Sequence, residues 1–137
     1  MNAKARLRAA MVAIDGVIES PSAFKDDLGY WVNGTEIAHF AADEIEIRLT
    51  RTVISARRRE LERDSRVVRR AKSSDWIVVT RLARSDEAFT LRLVRLAAAA
   101  HRTPEGIAPR LPPVGGELER RRRFHSARSR SSRSAWA

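Results

Sequence analysis

The chain has 137 residues and a formal net charge of +10 at pH 7, and its hydrophobic fraction of 43% is enough for one modest core. It contains no cysteine, which excludes disulfides, thiolate catalysis and cysteine metal sites, and we expect a cytoplasmic protein. The N-terminal apolar run over residues 9–13 is too short for a signal peptide core. Eighteen consecutive apolar residues occur nowhere, so the sequence predicts no membrane span.

The positive charge is concentrated toward the C-terminus. Residues 104–137 hold eight Arg and three Glu, and they therefore carry half of the net charge. Arginine outnumbers lysine 24 to 3 in the whole chain. This excess has two interpretations. It is typical of phosphate recognition, because guanidinium groups bind phosphate bidentately. It is also typical of a GC-rich genome, which the abundant alanine favours.

The first half of the chain predicts a helix followed by an antiparallel meander. Residues 3–15 predict the helix because apolar side chains recur at every third or fourth position, whereas residues 17–24 are predicted to be irregular. Asn33-Gly34 is the strongest short signal for a β-hairpin, since both residues tolerate the positive φ of a type I′ turn. This hairpin and a second turn separate three predicted strands, residues 30–32, 36–41 and 44–49.

The second half predicts a helix over residues 50–63 with Thr50 as its N-cap, then two strands over 66–71 and 75–82, then a helix from Ser85 to about residue 101. The predicted element order is α-β-β-β-α-β-β-α. It indicates an α+β fold with an antiparallel sheet of about five strands and helices packed on one face. The other face of the sheet would be partly open to a ligand or partner.

The composition changes after residue 103. Residues 1–103 are predicted to form the α+β domain, and residues 104–137 a Pro/Gly linker followed by a disordered Arg/Ser-rich tail. Such a segment has too few aliphatic side chains to offset its conformational entropy. The tail either contacts nucleic acid without sequence preference or is an extension without a selected role. Its candidate nucleic-acid contacts are Arg120, Arg121, Arg122, Arg123, Arg128 and Arg130, with Phe124 and Trp136 able to stack on bases.

The run GTEIAHFAADEIEIRLT, followed by DSRVVRRAKSSDWIVV and a last helix ending LAAAAHR, resembles the bacterial luciferase-like (luciferase domain) family of small proteins. The resemblance covers residues 30–102 and implies a fold, without implying light emission. Many members have a second histidine where this chain has Ala41, so a catalytic or metal-binding histidine pair would be incomplete here. The matching positions are Gly34, Glu36, His39, Arg48, Leu49, Asp75 and Trp76.

His39 is the only histidine within a predicted strand, and regular alternation would place it on the face of Ile37 and Ala41. It could act as a general base or metal ligand, with Glu36 and Glu46 as nearby carboxylates, or it could be a buried, hydrogen-bonded histidine. The second interpretation favours a structural role with no second histidine within reach. We predict no metal site, since too few ligands converge, and no cofactor, since no nucleotide-binding fingerprint is present.

Three polar side chains of the predicted meander, Glu36, Glu46 and Arg48, could form a row of ion pairs across adjacent strands. Alternatively, Arg48 and Arg51 could bind an anionic ligand. Trp76 is either a core residue or a platform on which a ligand stacks. The favoured prediction is a small binding module of the luciferase-like type with an unknown partner. The two alternatives are nucleic-acid binding through the tail and an enzyme that uses His39.

Overall fold

The computed structural model describes residues 2–70 and 74–128. Its strands form one antiparallel sheet in the order β1-β2-β3-β4-β6-β5, and the predicted α+β fold is confirmed. Across these residues, no helix is both long enough and apolar enough to cross a membrane. The elements are α1 (Ala3–Val12), β1 (Ile18–Pro21), β2 (Leu28–Val32), β3 (Thr35–Ala41), β4 (Glu44–Arg48), α2 (Arg51–Ala56), α3 (Arg58–Arg63), β5 (Val67–Arg69), β6 (Trp76–Val79), α4 (Glu87–His101) and α5 (Gly115–Arg128).

The main core lies between one face of the sheet and the helices α1 and α4. Helix α4 packs on β3 and β4, and α1 packs against α4. The predicted hairpin is present, because Asn33 and Gly34 have φ angles of 51° and 72°. Thr50 caps α2, since its side-chain oxygen accepts a hydrogen bond from the backbone N–H of Val53. The side chains that fill the centre of this core are Met11, Tyr30, Ile37, Ala38, Ile45, Ile47, Ile77, Leu93 and Ala97.

Three details differ from the sequence prediction. Strand β1 lies within residues predicted to be irregular; it is a mostly exposed edge strand and therefore has no apolar alternation to reveal it. The helix predicted over residues 50–63 is divided into α2 and α3 by Arg57, whose φ and ψ of −112° and 19° are not helical. The last two strands are shorter than predicted, and residue 71 of the first one lies outside the described residues.

The largest correction concerns residues 115–128 of the predicted disordered tail, whereas residues 129–137 of that tail lie outside the described residues. Residues 115–128 form α5, and Leu118 of this helix is buried against Ala23 and Trp31. The prediction counted aliphatic side chains, whereas α5 is attached mainly through arginine hydrogen bonds and a stacked ring. Helix α5 therefore covers part of the sheet face that was predicted to be open. The predicted contact Arg130 and the predicted stacking residue Trp136 lie outside the described residues.

Candidate functional site

The second face of the sheet is organised by a β-bulge in β3. Tyr30 of β2 lies opposite Ala38 and Trp31 lies opposite Glu36, so Ile37 has no partner residue in β2. Ile37 points into the main core together with Ala38. The bulge brings Glu36 onto the same face as His39, although the two are three residues apart. The prediction that His39 shares its face with Ile37 is therefore wrong.

His39 lies between two carboxylates at the centre of this face. Its ring is 0% exposed, with Nδ1 3.0 Å from Glu36 Oε2 and Nε2 2.9 Å from Glu46 Oε1. A neutral imidazole carries one N–H and can donate to only one of these oxygens, whereas an imidazolium donates to both. The geometry thus fits a positively charged His39 between two negative side chains.

The pKa values agree with this charge assignment. Burial acts to lower the pKa of His39, but the hydrogen bonds and charges of Glu36 and Glu46 outweigh it and raise that pKa above its usual value. Burial acts to raise the pKa of Glu46, yet the hydrogen bond to His39 and the charges of His39 and Arg70 hold it below its usual range. Each partner therefore stabilises the charged form of the other.

The two carboxylates have further partners that fix their positions. Glu36 Oε2 accepts a hydrogen bond from Ser22 Oγ at 2.5 Å, and Glu36 Oε1 accepts one from the backbone N–H of Ala23 at 2.8 Å. Glu46 Oε1 accepts one from Arg70 Nη1 at 2.9 Å. Two carboxylates and two cations therefore form a charge-balanced group, which we call the Glu–His–Glu cluster (Glu36, His39, Glu46 and Arg70); all its members but the half-buried Arg70 are buried.

A glycine on the neighbouring strand leaves the space that Glu36 occupies. Gly29 lies directly opposite His39 in the pairing of β2 with β3. A Cβ atom on Gly29 would lie 2.7 Å from the carboxyl carbon of Glu36, which is closer than packed atoms approach. The lack of a side chain at this position is thus a requirement of the cluster.

Aromatic rings cover the cluster. Phe24 stacks on His39 with ring centroids 5.2 Å apart, and Trp76 lies 5.0 Å from His39 on a tilted plane. His125 of α5 stacks in turn on Phe24 at 3.9 Å. The core interpretation of Trp76 agrees with its exposure of 7%. His125 lies in the segment predicted to be a disordered tail, and no second histidine was expected near His39; in the structure, His125 belongs to the aromatic cover of this site.

A cleft of about 200 Å³ opens beside this aromatic cover, between the sheet and α5. Three arginines from three different parts of the chain line it: Arg48 from β4, Arg110 from the linker and Arg121 from α5. Phe24, Trp31 and His125 supply aromatic surface, and Glu36 lies at its inner side. We call this space the arginine cleft.

Each arginine of the cleft is held differently. Arg48 donates to Asp75 at 3.3 Å, and Arg121 donates to the carbonyl oxygen of Gly34 at 3.1 Å. The backbone N–H of Arg110 donates to Asn33 Oδ1 at 2.8 Å, which fixes the linker on the tip of the β2–β3 hairpin. The guanidinium of Arg110 has no hydrogen-bond or ion-pair partner in the described part of the chain. One positive charge is therefore available without breaking an existing contact.

Other predicted site residues lie elsewhere. Arg51 does not line the arginine cleft; its side chain is exposed and its backbone N–H donates to Asp75 Oδ1. The predicted row of ion pairs is replaced, since Glu36 and Glu46 bind His39 and Arg48 binds Asp75. Within residues 2–70 and 74–128, no group of three or more His, Asp or Glu side chains is arranged to hold a metal ion.

The arginine block of the predicted tail is divided by α5. Arg121 and Arg122 face the sheet, whereas Arg120 and Arg123 are exposed. The backbone of Arg128 ends the helix.

No family model, curated protein or solved structure matches this chain. The luciferase-like resemblance accordingly stays a prediction.

Proposed function

We propose that the protein is a small binding module that holds a small anionic ligand in the arginine cleft. The observation that carries the proposal is the convergence of Arg48, Arg110 and Arg121 on one cleft with aromatic walls. Guanidinium groups bind carboxylate and phosphate oxygens in pairs and more strongly than neutral donors do. A ligand with a phosphate or carboxylate group and an adjoining apolar part would match both kinds of surface.

The charge of the cleft supports an anion over a cation. Among the lining residues, three guanidiniums face the single carboxylate of Glu36, which already accepts hydrogen bonds from Ser22 and Ala23 and faces His39. The negative charge of Glu36 is therefore largely compensated by these partners. Arg48 and Arg121 are each paired with a carboxylate beside the cleft, so the uncompensated positive charge is that of Arg110. A bound anion would meet a site whose remaining charge is positive, and the low-dielectric aromatic walls would strengthen the attraction.

We also propose that the protein belongs to the luciferase-like family, which is compatible with a role as a small binding module. The enzyme alternative has less support, because both ring nitrogens of His39 already contact carboxylates and the ring is 0% exposed. A general base needs one nitrogen within hydrogen-bond reach of a substrate. In this arrangement His39 organises the inner wall of the cleft through Glu36.

Isothermal titration calorimetry with inorganic phosphate, pyrophosphate and benzoate tests the proposal. We expect saturable binding of at least one of these anions, and a loss of roughly tenfold or more in affinity for Arg48→Gln, Arg110→Gln and Arg121→Gln, as for the removal of a hydrogen bond to a charged group. Arg95→Gln is the matched control, since Arg95 is exposed on α4, the helix on the main-core side of the sheet. Equal losses in the control would contradict a site in the cleft.

A further inference from the structure

Helix α5 has two faces with different roles. Its inner stripe consists of Leu118, Arg121, Arg122 and His125, at the i, i+3, i+4, i+7 spacing of one helix face. Leu118 packs against Trp31, and Arg122 Nε donates to the carbonyl oxygen of Ser22 at 3.0 Å. With the contacts of Arg121 and His125 given above, this stripe fixes α5 on the sheet.

The acidic residues of α5 compensate only the inner arginines. Glu117 pairs with Arg121 at 3.1 Å, and Glu119 pairs with Arg122 at 3.3 Å. Arg120 and Arg123 are exposed, and neither has an ion pair or hydrogen bond with another described residue. The positive charge of the helix is thus uncompensated on its outer side.

An aromatic ring lies on the same outer side. Phe124 follows Arg120 by four positions and Arg123 by one, and its side chain is 56% exposed. Its ring meets the edge of His125 at 5.5 Å, so one of its neighbours is already ordered by the stack on Phe24. We call Arg120, Arg123 and Phe124 the outer stripe.

We infer that the outer stripe is a binding surface for single-stranded nucleic acid, used while α5 stays on the sheet. Exposed guanidiniums neutralise successive phosphates, and an exposed ring stacks on an unpaired base. In a duplex the base faces are already stacked on one another, so Phe124 cannot stack on them. The interaction has no sequence preference, because every base has a face on which Phe124 can stack. This surface is separate from the arginine cleft and does not depend on the function proposed for it.

Two double variants with the same charge change test the inference. Arg120→Gln with Arg123→Gln removes the outer charges, and Arg121→Gln with Arg122→Gln removes the inner ones. The probe is a fluorescently labelled oligothymidylate of about 16 nucleotides, which is the upper end of common single-strand site sizes. Fluorescence anisotropy over a series of salt concentrations gives the affinity and the slope of log K against log salt.

We expect the outer double variant to reduce the magnitude of this slope by about 1.4, which corresponds to two phosphates at 0.7 each on a single strand. The inner double variant keeps the slope, because the contacts of Leu118 with Trp31 and of His125 with Phe24 still hold α5 on the sheet. Phe124→Ala keeps the slope as well, yet weakens binding about fivefold or more through lost stacking. Circular dichroism and thermal melting of each variant report whether the domain is folded.

Equal losses from the two double variants would overturn the inference, since they would indicate a flexible polycation instead of a helix face. Equal affinity for a duplex of the same length would also overturn it. Titration of the same variants with pyrophosphate separates the two proposals. The outer variant keeps any anion binding in the cleft, and the inner variant loses it, whatever happens to the oligonucleotide.

Discussion

Replacing His39 by leucine removes the cation that lies between the carboxylates of Glu36 and Glu46. The two carboxylates stay buried, at 2% and 8% side-chain exposure, without the group that compensates them. Removing one partner of a buried ion pair costs about 3–5 kcal/mol of unfolding free energy. This cost is more than the roughly 0.5–3 kcal/mol of a typical point substitution. The typical range is also what the sequence alone suggests for His39→Ala.

The pKa shifts of His39 and Glu46 determine how the stabilisation of the folded protein by this cluster changes with pH. The pKa of His39 is raised above 6.5 in the folded protein, so its stabilisation is complete below pH 6.5 and is lost as the pH rises through the folded value. The pKa of Glu46 is lowered below 4.5, so its stabilisation is complete above pH 4.5 and is lost as the pH falls through the folded value. The Glu–His–Glu cluster thus contributes most between pH 4.5 and 6.5.

In His39→Leu, the effect of acid on the unfolding free energy is expected to have the opposite sign to that in the wild-type protein. Without the imidazolium, burial and the neighbouring carboxylate act to raise the pKa of Glu46, so its protonation relieves the unfavourable buried charge as the pH falls. The difference in unfolding free energy between wild type and variant is therefore expected to narrow below about pH 5. Urea unfolding followed by tryptophan fluorescence from pH 4 to pH 8 measures it.

The matched control for this experiment is His101→Leu. His101 lies at the end of α4, partly exposed, with Nδ1 2.8 Å from the carbonyl oxygen of Ala97, and we expect a loss of about 1 kcal/mol or less. A cost for His39→Leu that equals the control at pH 6, or that does not change with pH, would refute the buried charged cluster.

Two further substitutions test the packing around the site. Gly29→Ala forces a methyl group onto the carboxylate of Glu36 and should lower the unfolding free energy by about 1–3 kcal/mol. Its control is Gly116→Ala in α5, where a Cβ meets no atom closer than 4.0 Å and the substitution should be neutral or stabilising. Thermal melting of both variants measures the difference. Leu118→Ala removes a buried aliphatic contact between α5 and Trp31, so hydrogen exchange should accelerate in residues 115–128 while the sheet amides keep their protection.

The hairpin and the alternating strands could be predicted from the sequence because their signals are local. Asn33-Gly34 fits only a narrow set of turns, and the strict alternation after residue 44 is typical of a strand. The alternation predicts one solvated face, whereas both faces of β4 are covered and Glu46 is buried. The Glu–His–Glu cluster could not be predicted in this way. Glu36 and His39 lie on opposite faces of any regular strand, and only the bulge at Ile37 brings them together. A glycine inside a strand is typical of a bulge or a close approach, but Gly29 gave no such signal because the predicted strand begins at residue 30, whereas β2 begins at Leu28.

The sequence did not predict helix α5, for a related reason. Its inner stripe has helical spacing, but Leu118 is its only aliphatic member, and a hydrophobic pattern does not register arginine or histidine as inward-facing. Arg121 and Arg122 reach carbonyl oxygens that only the folded sheet presents. The attachment of α5 therefore depends on tertiary structure, and composition alone indicated disorder.

NMR mapping with pyrophosphate on the wild-type chain shows whether the arginine cleft binds a small anion. We expect saturable shifts at the backbone amides of Gly34, Thr35 and Arg121 and at the indole N–H of Trp31, all of which belong to residues that line the cleft. Shifts confined to the arginine run over residues 57–59, or spread evenly over all arginines, would contradict binding in the cleft.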